Sequence, residues 1–175
     1  MQFDNSEIVL RPPQPDEGSA IHQLVANSPP LDLNSVYSYY LLCSHFADTC
    51  VVAEWQGQIV GFISAYRPPA QGQQLFVWQV VVDSDLRGRG IAWRMLHHLL
   101  RRLDGAVMEV QATVNPSNTV SRGLFQRLAT EQGSLMQESV FLSADAFAPA
   151  SEHESEILLS VPLAHKIQEK QNANI

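Results

Sequence analysis

An apolar run and an amphipathic stretch of this chain are joined by Arg87-Gly88-Arg89-Gly90-Ile91-Ala92. Glycines there tolerate unusual dihedral angles and let the backbone approach a ligand closely. A helix opening at this point offers N–H groups without intrahelical partners and the positive end of its dipole. Arg87 and Arg89 add charge, and a pyrophosphate is the natural occupant of such a place. Two plainer readings stand beside it: an ordinary strand-to-helix turn, and a basic tract of the kind that meets nucleic acid. A short glycine motif alone does not separate the first from an anion site. The second sits poorly in a chain of net charge −7, because nucleic-acid binders carry a basic face. The loop lacks the Gly-Lys-Ser/Thr ending of a Walker sequence and the third glycine of a dinucleotide fingerprint.

Other residues with chemical potential are scattered. Glu152, His153, Glu154 and Glu156 cluster near the last apolar run, and Asp32 precedes a helical stretch. Asp32 reads equally as a helix cap, Glu152 and Glu154 as solvated carboxylates, and His153 as a linker histidine. Trp78 can pack in the core or wall a small aliphatic ligand. His97 and His98 lie in a helix and look structural. Cys43 and Cys50 are too few for a disulfide framework, lack metal-site spacing and have no evident His partner. They read as reduced structural cysteines, and no metal is expected.

The elements that position these groups follow from periodicity. At 175 residues, 45% of them hydrophobic, the chain suits one domain with a real core. Residues 1–165 are expected to form it, with 166–175 a disordered tail. The polar N-terminus is no signal peptide, and no apolar run approaches the roughly 20 residues that span a bilayer. A soluble cytoplasmic protein is expected. A strand at 8–11 stops at Pro12 and Pro13. Asp16 can cap a helix with Ile21, Leu24 and Val25 inward, ended by Pro29 and Pro30. A second helix, capped by Asp32 or Asn34, places Val36, Tyr37, Tyr40 and Leu41 at helical spacing. From Thr49 two strands flank Gln56-Gly57 as a hairpin. Leu75 to Val82 reads as a strand buried on both faces. A helix over Gly90 to Leu103 turns Ala92, Met95, Leu96, Leu99, Leu100 and Leu103 inward. A strand from Ala106 follows, then a fourth helix with Val120, Leu124, Phe125 and Leu128 inward, then two closing strands. The result is a mixed α/β (α+β) sheet with helices on its faces, antiparallel at its start.

At Arg87, Gly90 and Ala92 the sequence resembles the GNAT superfamily of N-acetyltransferases, whose signature Arg/Gln-x-x-Gly-x-Gly/Ala follows the fourth strand. The element order over residues 8–161 matches too. The resemblance implies a strongly twisted sheet and acetyl-coenzyme A as co-substrate. It puts the pyrophosphate at Gly88 to Ala92, with Arg87 and Arg89 beside it, and the pantetheine arm along Val80 to Val82. Asn118 matches a residue that contacts the cofactor arm. Superfamily members commonly place a Tyr general acid in the later helix, where Phe125 stands here. A thiolate of pKa near 8.5 leaves tolerably without an acid.

Pro30-Leu31-Asp32-Leu33-Asn34-Ser35, Gly61-Phe62-Ile63-Ser64-Ala65-Tyr66, Leu75 to Asp83 and His153-Glu154-Ser155-Glu156 look like the L-2,4-diaminobutyrate acetyltransferases of ectoine biosynthesis. That resemblance implies acetylation of the 4-amino group of diaminobutyrate. It raises Asp32, Trp78 and His153 as acceptor-site residues and Glu156 as the base that takes the ammonium proton. Tyr37 stands with them, although Tyr37 and Tyr39 can simply pack. In a regular strand His153 and Glu156 point oppositely, so both serve one site only across a turn or bulge. A backbone N–H near Val80 would meet the charge that gathers on the carbonyl oxygen. Other acceptors (a polyamine, ornithine, lysine, a protein amine) and a coenzyme-A-binding module without turnover remain as alternatives. A homodimer is expected from the superfamily.

Overall fold

The computed structural model describes residues 7–29, 31–147 and 154–164. His153, Glu152, Pro30 and the C-terminal segment assigned to a tail lie outside the described residues. Seven strands, β1 (Val9–Arg11), β2 (Val51–Trp55), β3 (Gln58–Tyr66), β4 (Gln74–Val82), β5 (Glu109–Val114), β6 (Gln137–Leu142) and β7 (Glu156–Pro162), form one sheet in the order β1-β2-β3-β4-β5-β7-β6. All neighbours run antiparallel except β4 and β5. The α-helices among the described residues are α1 (Gly18–Ala26), α2 (Val36–His45), α3 (Ile91–Arg102) and α4 (Thr119–Gln132).

Local chemistry explains most of these boundaries. Gln56 and Gly57 turn the β2–β3 hairpin with φ of 51° and 77°, the paired positive values that match strand twist. Each helix contributes an apolar stripe, and the stripes fall on opposite faces of the sheet. Ile91, Met95, Leu96 and Leu99 of α3 join Phe125, Leu128 and Ala129 of α4 over Ile63, Leu75, Val77, Val110 and Leu159. Ile21, Leu24 and Val25 of α1 join Tyr39, Leu42 and Cys43 of α2 over Val52, Phe62 and Val81.

Several local readings are corrected. Glu17, not Asp16, occupies the α1 cap position and gives no side-chain capping bond. Its carboxylate is taken instead by Arg11 and the Gln14 N–H. Helix α1 ends at Ala26, ahead of Pro29, with Asn27 as its C-cap. Ser35 caps α2, accepting from the Ser38 N–H, so neither Asp32 nor Asn34 does. The buried face of α2 is Tyr39, Leu42 and Cys43, while Val36 and Tyr37 are exposed. Apolar residues occur around much of this helix, and packing against α1 and the sheet selects the inward set. Val120 is likewise exposed.

Strand β4 is not buried on both faces. Leu75, Val77, Gln79 and Val81 are buried, whereas Trp78 is 45% exposed, since it walls a cavity instead of underlying a helix. A bulge makes this possible. Ser64 pairs with Gln79 and Ala65 with Val77, leaving Trp78 as the extra residue. Such an insertion shifts the alternation of the strand by one. Before it Leu75 and Val77 face the α3/α4 side; after it Val81 faces the α1/α2 side.

Candidate active site

The two parallel strands separate where the chemistry belongs. Pairing of β4 with β5 runs from Gln74↔Glu109 to Val77↔Ala112 and stops. Beyond that point the Gln79 N–H donates to Ser64 Oγ at 3.1 Å and the Asp83 N–H to the Val60 carbonyl at 2.9 Å, both toward β3. Backbone groups of an extended chain alternate in direction, so the N–H groups of Val80 and Val82 face the opening. That edge can pair with an extended amide-bearing ligand as a strand would.

Two helices begin at this same end, α3 after β4 and α4 after β5. Ligands of parallel sheets gather at such carboxyl ends. Gly88 and Gly90 have φ of 75° and 76°, and a Cβ at either would meet nothing within 4 Å. The glycines are therefore needed for conformation, not for room, and they leave the loop open to an incoming group. Gly90 opens α3 without any side-chain capping bond, so the N–H groups through Ala92 point outward at the positive end of the dipole. The Arg87 guanidinium reaches back to the Val82 carbonyl at 3.1 Å, which ties the loop to the open edge. Arg87, Gly88, Arg89 and Gly90 are exposed. Asn118 is the N-cap of α4, accepting from the Ser121 N–H at 3.1 Å; its amide NH₂ is left to face other partners. These features fit a long, anionic co-substrate with amides along its arm.

The described acceptor-side candidates lie on the opposite face from α3 and α4. Trp78 lines a cavity of about 360 Å³ with Tyr66, Phe76, Thr113 and Phe141. The ring of Tyr66 packs on Phe76 at 5.3 Å. Ile157, Leu159 and Val161 pack on the α3/α4 side, so alternation turns Glu156 and Leu158 to the cavity side. Leu158 pairs with Thr113, a cavity residue, and Glu156 pairs with Leu142 at the strand's beginning. Glu156 thus shares a face with Trp78. Glu154 accepts from the Ser117 N–H at 3.1 Å, which moors the approach to β7 on the loop before α4.

Asp32 reaches this face through its loop. Its side chain is exposed, and its carbonyl accepts from Gln79 Nε2 at 2.7 Å. Tyr37 lies in the first turn of α2, largely exposed. The sequence reading missed Gln79 and the aromatic wall of Tyr66, Phe76 and Phe141, and gave Tyr39 only a packing role. For Gln79 a signal existed: a lone amide in an apolar strand must find partners if buried.

Other groups drop out of the chemistry. Burial pushes the thiols of Cys43 and Cys50 up, to about 11 and about 12, so neither is a thiolate at neutral pH. Phe125 is buried in the core beneath α4 and brings no donor. His97 stacks on Trp93 at 4.3 Å and lies 3.0 Å from Glu131, between α3 and α4. Among the described residues no His, Cys, Asp and Glu gather as a metal would require, and no helix is long and apolar enough to cross a membrane.

Comparison with known proteins adds independent findings. Residues 19–129 match the Acetyltransferase (GNAT) family. The chain is 48% identical over 159 residues to an L-2,4-diaminobutyric acid acetyltransferase of Bordetella parapertussis, covering 89% of this chain and 85% of that one. It is 46% identical over 156 residues to the enzyme of the same name from Vibrio cholerae, covering 89% and 90%. Its structure superposes with a TM-score of 0.85 on a diaminobutyrate acetyltransferase from Paenibacillus lautus, solved with L-2,4-diaminobutyric acid and coenzyme A. The two are 41% identical, with 89% of this chain and 95% of that one covered.

Proposed function

The chain belongs to the acetyltransferase (GNAT) family, among its L-2,4-diaminobutyric acid acetyltransferases, and we propose from that premise how its residues divide the work. It is an N-acetyltransferase that moves the acetyl group of acetyl-coenzyme A to L-2,4-diaminobutyrate. The 4-amino group is the acceptor, and the product is the precursor that a synthase cyclises to ectoine, a compatible solute. The observation that carries this reading is the joint placement of an open amide edge, an uncapped helix start and an acid-flanked aromatic cavity around one break in the sheet.

Bound acetyl-coenzyme A supplies an activated thioester carbonyl. Arg87, Gly88, Arg89, Gly90 and Ala92 hold its pyrophosphate, the Val80 and Val82 backbone holds its arm, and Asn118 contacts the arm from α4. Asp32 takes one ammonium group of the acceptor, Trp78 walls its short aliphatic chain, and Tyr37 and His153 complete the binding set. Glu156 removes a proton from the 4-ammonium group, directly or through water. The freed nitrogen forms the new C–N bond as the C–S bond breaks; the electron pair leaves on sulfur, and the second proton shed by the nitrogen passes to that thiolate or to solvent. The Val80 N–H stabilises the charge that gathers on the carbonyl oxygen. The thiolate leaves without a side-chain acid, in keeping with its modest basicity.

A homodimer belongs to the same proposal. Strand β6 is an edge strand of the sheet, and Val140, Phe141 and Leu142 are exposed on it. An edge strand with an exposed apolar end of this kind calls for a cover, and sedimentation at micromolar protein tests it. Free action in the cytoplasm is also proposed.

Release of free thiol with diaminobutyrate, against ornithine, 1,3-diaminopropane and lysine, tests the substrate. Diaminobutyrate is expected to give the highest kcat/KM. Equal or faster turnover of another amine would overturn the assignment, and cofactor binding with no thiol release on any amine would favour a non-catalytic module.

A further inference from the structure

The strand that carries the open edge also carries a buried amide that has no part in the mechanism above. Gln79 is 7% exposed, and its polar atoms are engaged. Its Nε2 donates to the Asp32 carbonyl at 2.7 Å, and its Oε1 accepts from the Tyr39 hydroxyl at 3.2 Å. That hydroxyl also accepts from the Asn34 N–H at 3.4 Å. Tyr39 itself is fully buried, edge-on to His22 at 5.8 Å. Two side chains therefore grip the loop from Asp32 to Asn34 at both ends, and the grip is anchored on the residue after the β4 bulge. A buried polar network is costly when half-satisfied and rigid when complete. Here the amide oxygen, the amide nitrogen and the hydroxyl each have a partner, and what they hold still is a loop in which Asp32 and Leu33 are exposed.

We infer that Gln79, seconded by Tyr39, is a positioning residue that sets the distance between Asp32 and the transfer edge at Val80. The inference rests on the acceptor role proposed for Asp32. Gln79 directly precedes Val80, so any slack in the Gln79–Asp32 contact changes the span between the anchored ammonium group and the reacting one. A fixed span selects acceptor length. The binding energy of an extra methylene is small, so selection against a homologue one carbon longer must come from geometry.

The tests are Gln79→Leu, close in size without hydrogen bonds, and Tyr39→Phe, which keeps the ring and loses its two contacts, to Gln79 and to the Asn34 N–H. The expected result for Gln79→Leu is a rise of about tenfold in KM for diaminobutyrate, the loss of roughly one buried hydrogen bond. The change in kcat should be smaller, coenzyme A affinity should stay within about twofold, and the preference for diaminobutyrate over ornithine should fall. Tyr39→Phe should move the same quantities less. Unchanged KM and preference in both folded variants would overturn the inference, as would an equal loss on both amines. Hydrogen exchange at Leu33 to Ser35 reads the clamp without any substrate. Faster exchange in Gln79→Leu supports it even if the wild type proves inactive on diaminobutyrate, which would count against the function alone. Unaltered exchange refutes the clamp whatever the substrate.

Discussion

The Ser38 N–H donates to Ser35 Oγ at 3.3 Å, and this contact frees Asp32, three residues earlier, from any capping duty. The consequence is a clean substitution. Asp32→Asn should leave stability within about 0.5 kcal/mol, as for a surface change that touches no cap. It should lower kcat/KM for diaminobutyrate by roughly tenfold or more, the cost of a lost charge-assisted contact. Thermal unfolding and steady-state kinetics check the two halves. Full turnover at subsaturating amine would remove Asp32 from the acceptor site.

Arg87→Ala should weaken coenzyme A binding by about 1–3 kcal/mol, because a charged donor beside the open loop is lost. Calorimetric titration that finds unchanged affinity would sink the pyrophosphate assignment. The glycines offer a sign test by the same replacement. Gly90 needs φ of 76°, so Gly90→Ala strains the loop by about 1–2 kcal/mol. Gly123 lies inside α4 with nothing within 4 Å of a new Cβ, so Gly123→Ala should stabilise by about 0.5–1 kcal/mol. Urea midpoints read both.

Acceptor chemistry dictates the pH profile. An alkyl ammonium of Lys-like pKa near 10.4 leaves roughly one reactive amine in a thousand at pH 7. Turnover is expected to rise from about pH 7 toward pH 9. Glu156→Gln should shift the profile further alkaline, since the variant waits for free amine from solution. No fall from phenol ionisation is expected in that range, as Phe125 is buried and has no hydroxyl. A flat wild-type profile superimposed on that of the variant would exclude Glu156 as rate-limiting base.

Acid stability should depend on Glu17. Burial opposes its charge, but the Arg11 guanidinium and the Gln14 N–H outweigh that and hold the carboxyl below its usual 4.5. The folded state therefore binds this proton less readily than the unfolded chain. The stabilisation is fully present above the unfolded value and fades as pH falls through the folded one. Glu17→Gln should cost about 1–2 kcal/mol at pH 7, and the gap between the two proteins should narrow steadily below about pH 4.5. A gap independent of pH would show that the Arg11–Glu17–Glu54 cluster contributes by packing alone.

Local pattern carried much of this protein. The alternation of Thr49 to Tyr66, the glycine pair after Val82 and the stripe through Met95 and Leu99 each record a need that one residue imposes on its own neighbourhood. Element order and the glycine loop that opens α3 were legible for that reason, and so was the resemblance built on them. The caps were not, because Asp16, Glu17, Asp32 and Ser35 are all competent, and the choice among them depends on what else competes for each oxygen. Arg11 took the Glu17 carboxylate; Gln79, by holding the Asp32 carbonyl, fixed where the loop before α2 lies. The second of these contacts spans 47 positions, beyond the reach of any periodicity. Tertiary structure alone decided that Trp78 bulges, that Glu156 and Trp78 share a face, and that the break between β4 and β5 falls beside Val80. These are questions of register and of which side each strand presents, and a one-residue shift reverses the answer without altering the local sequence.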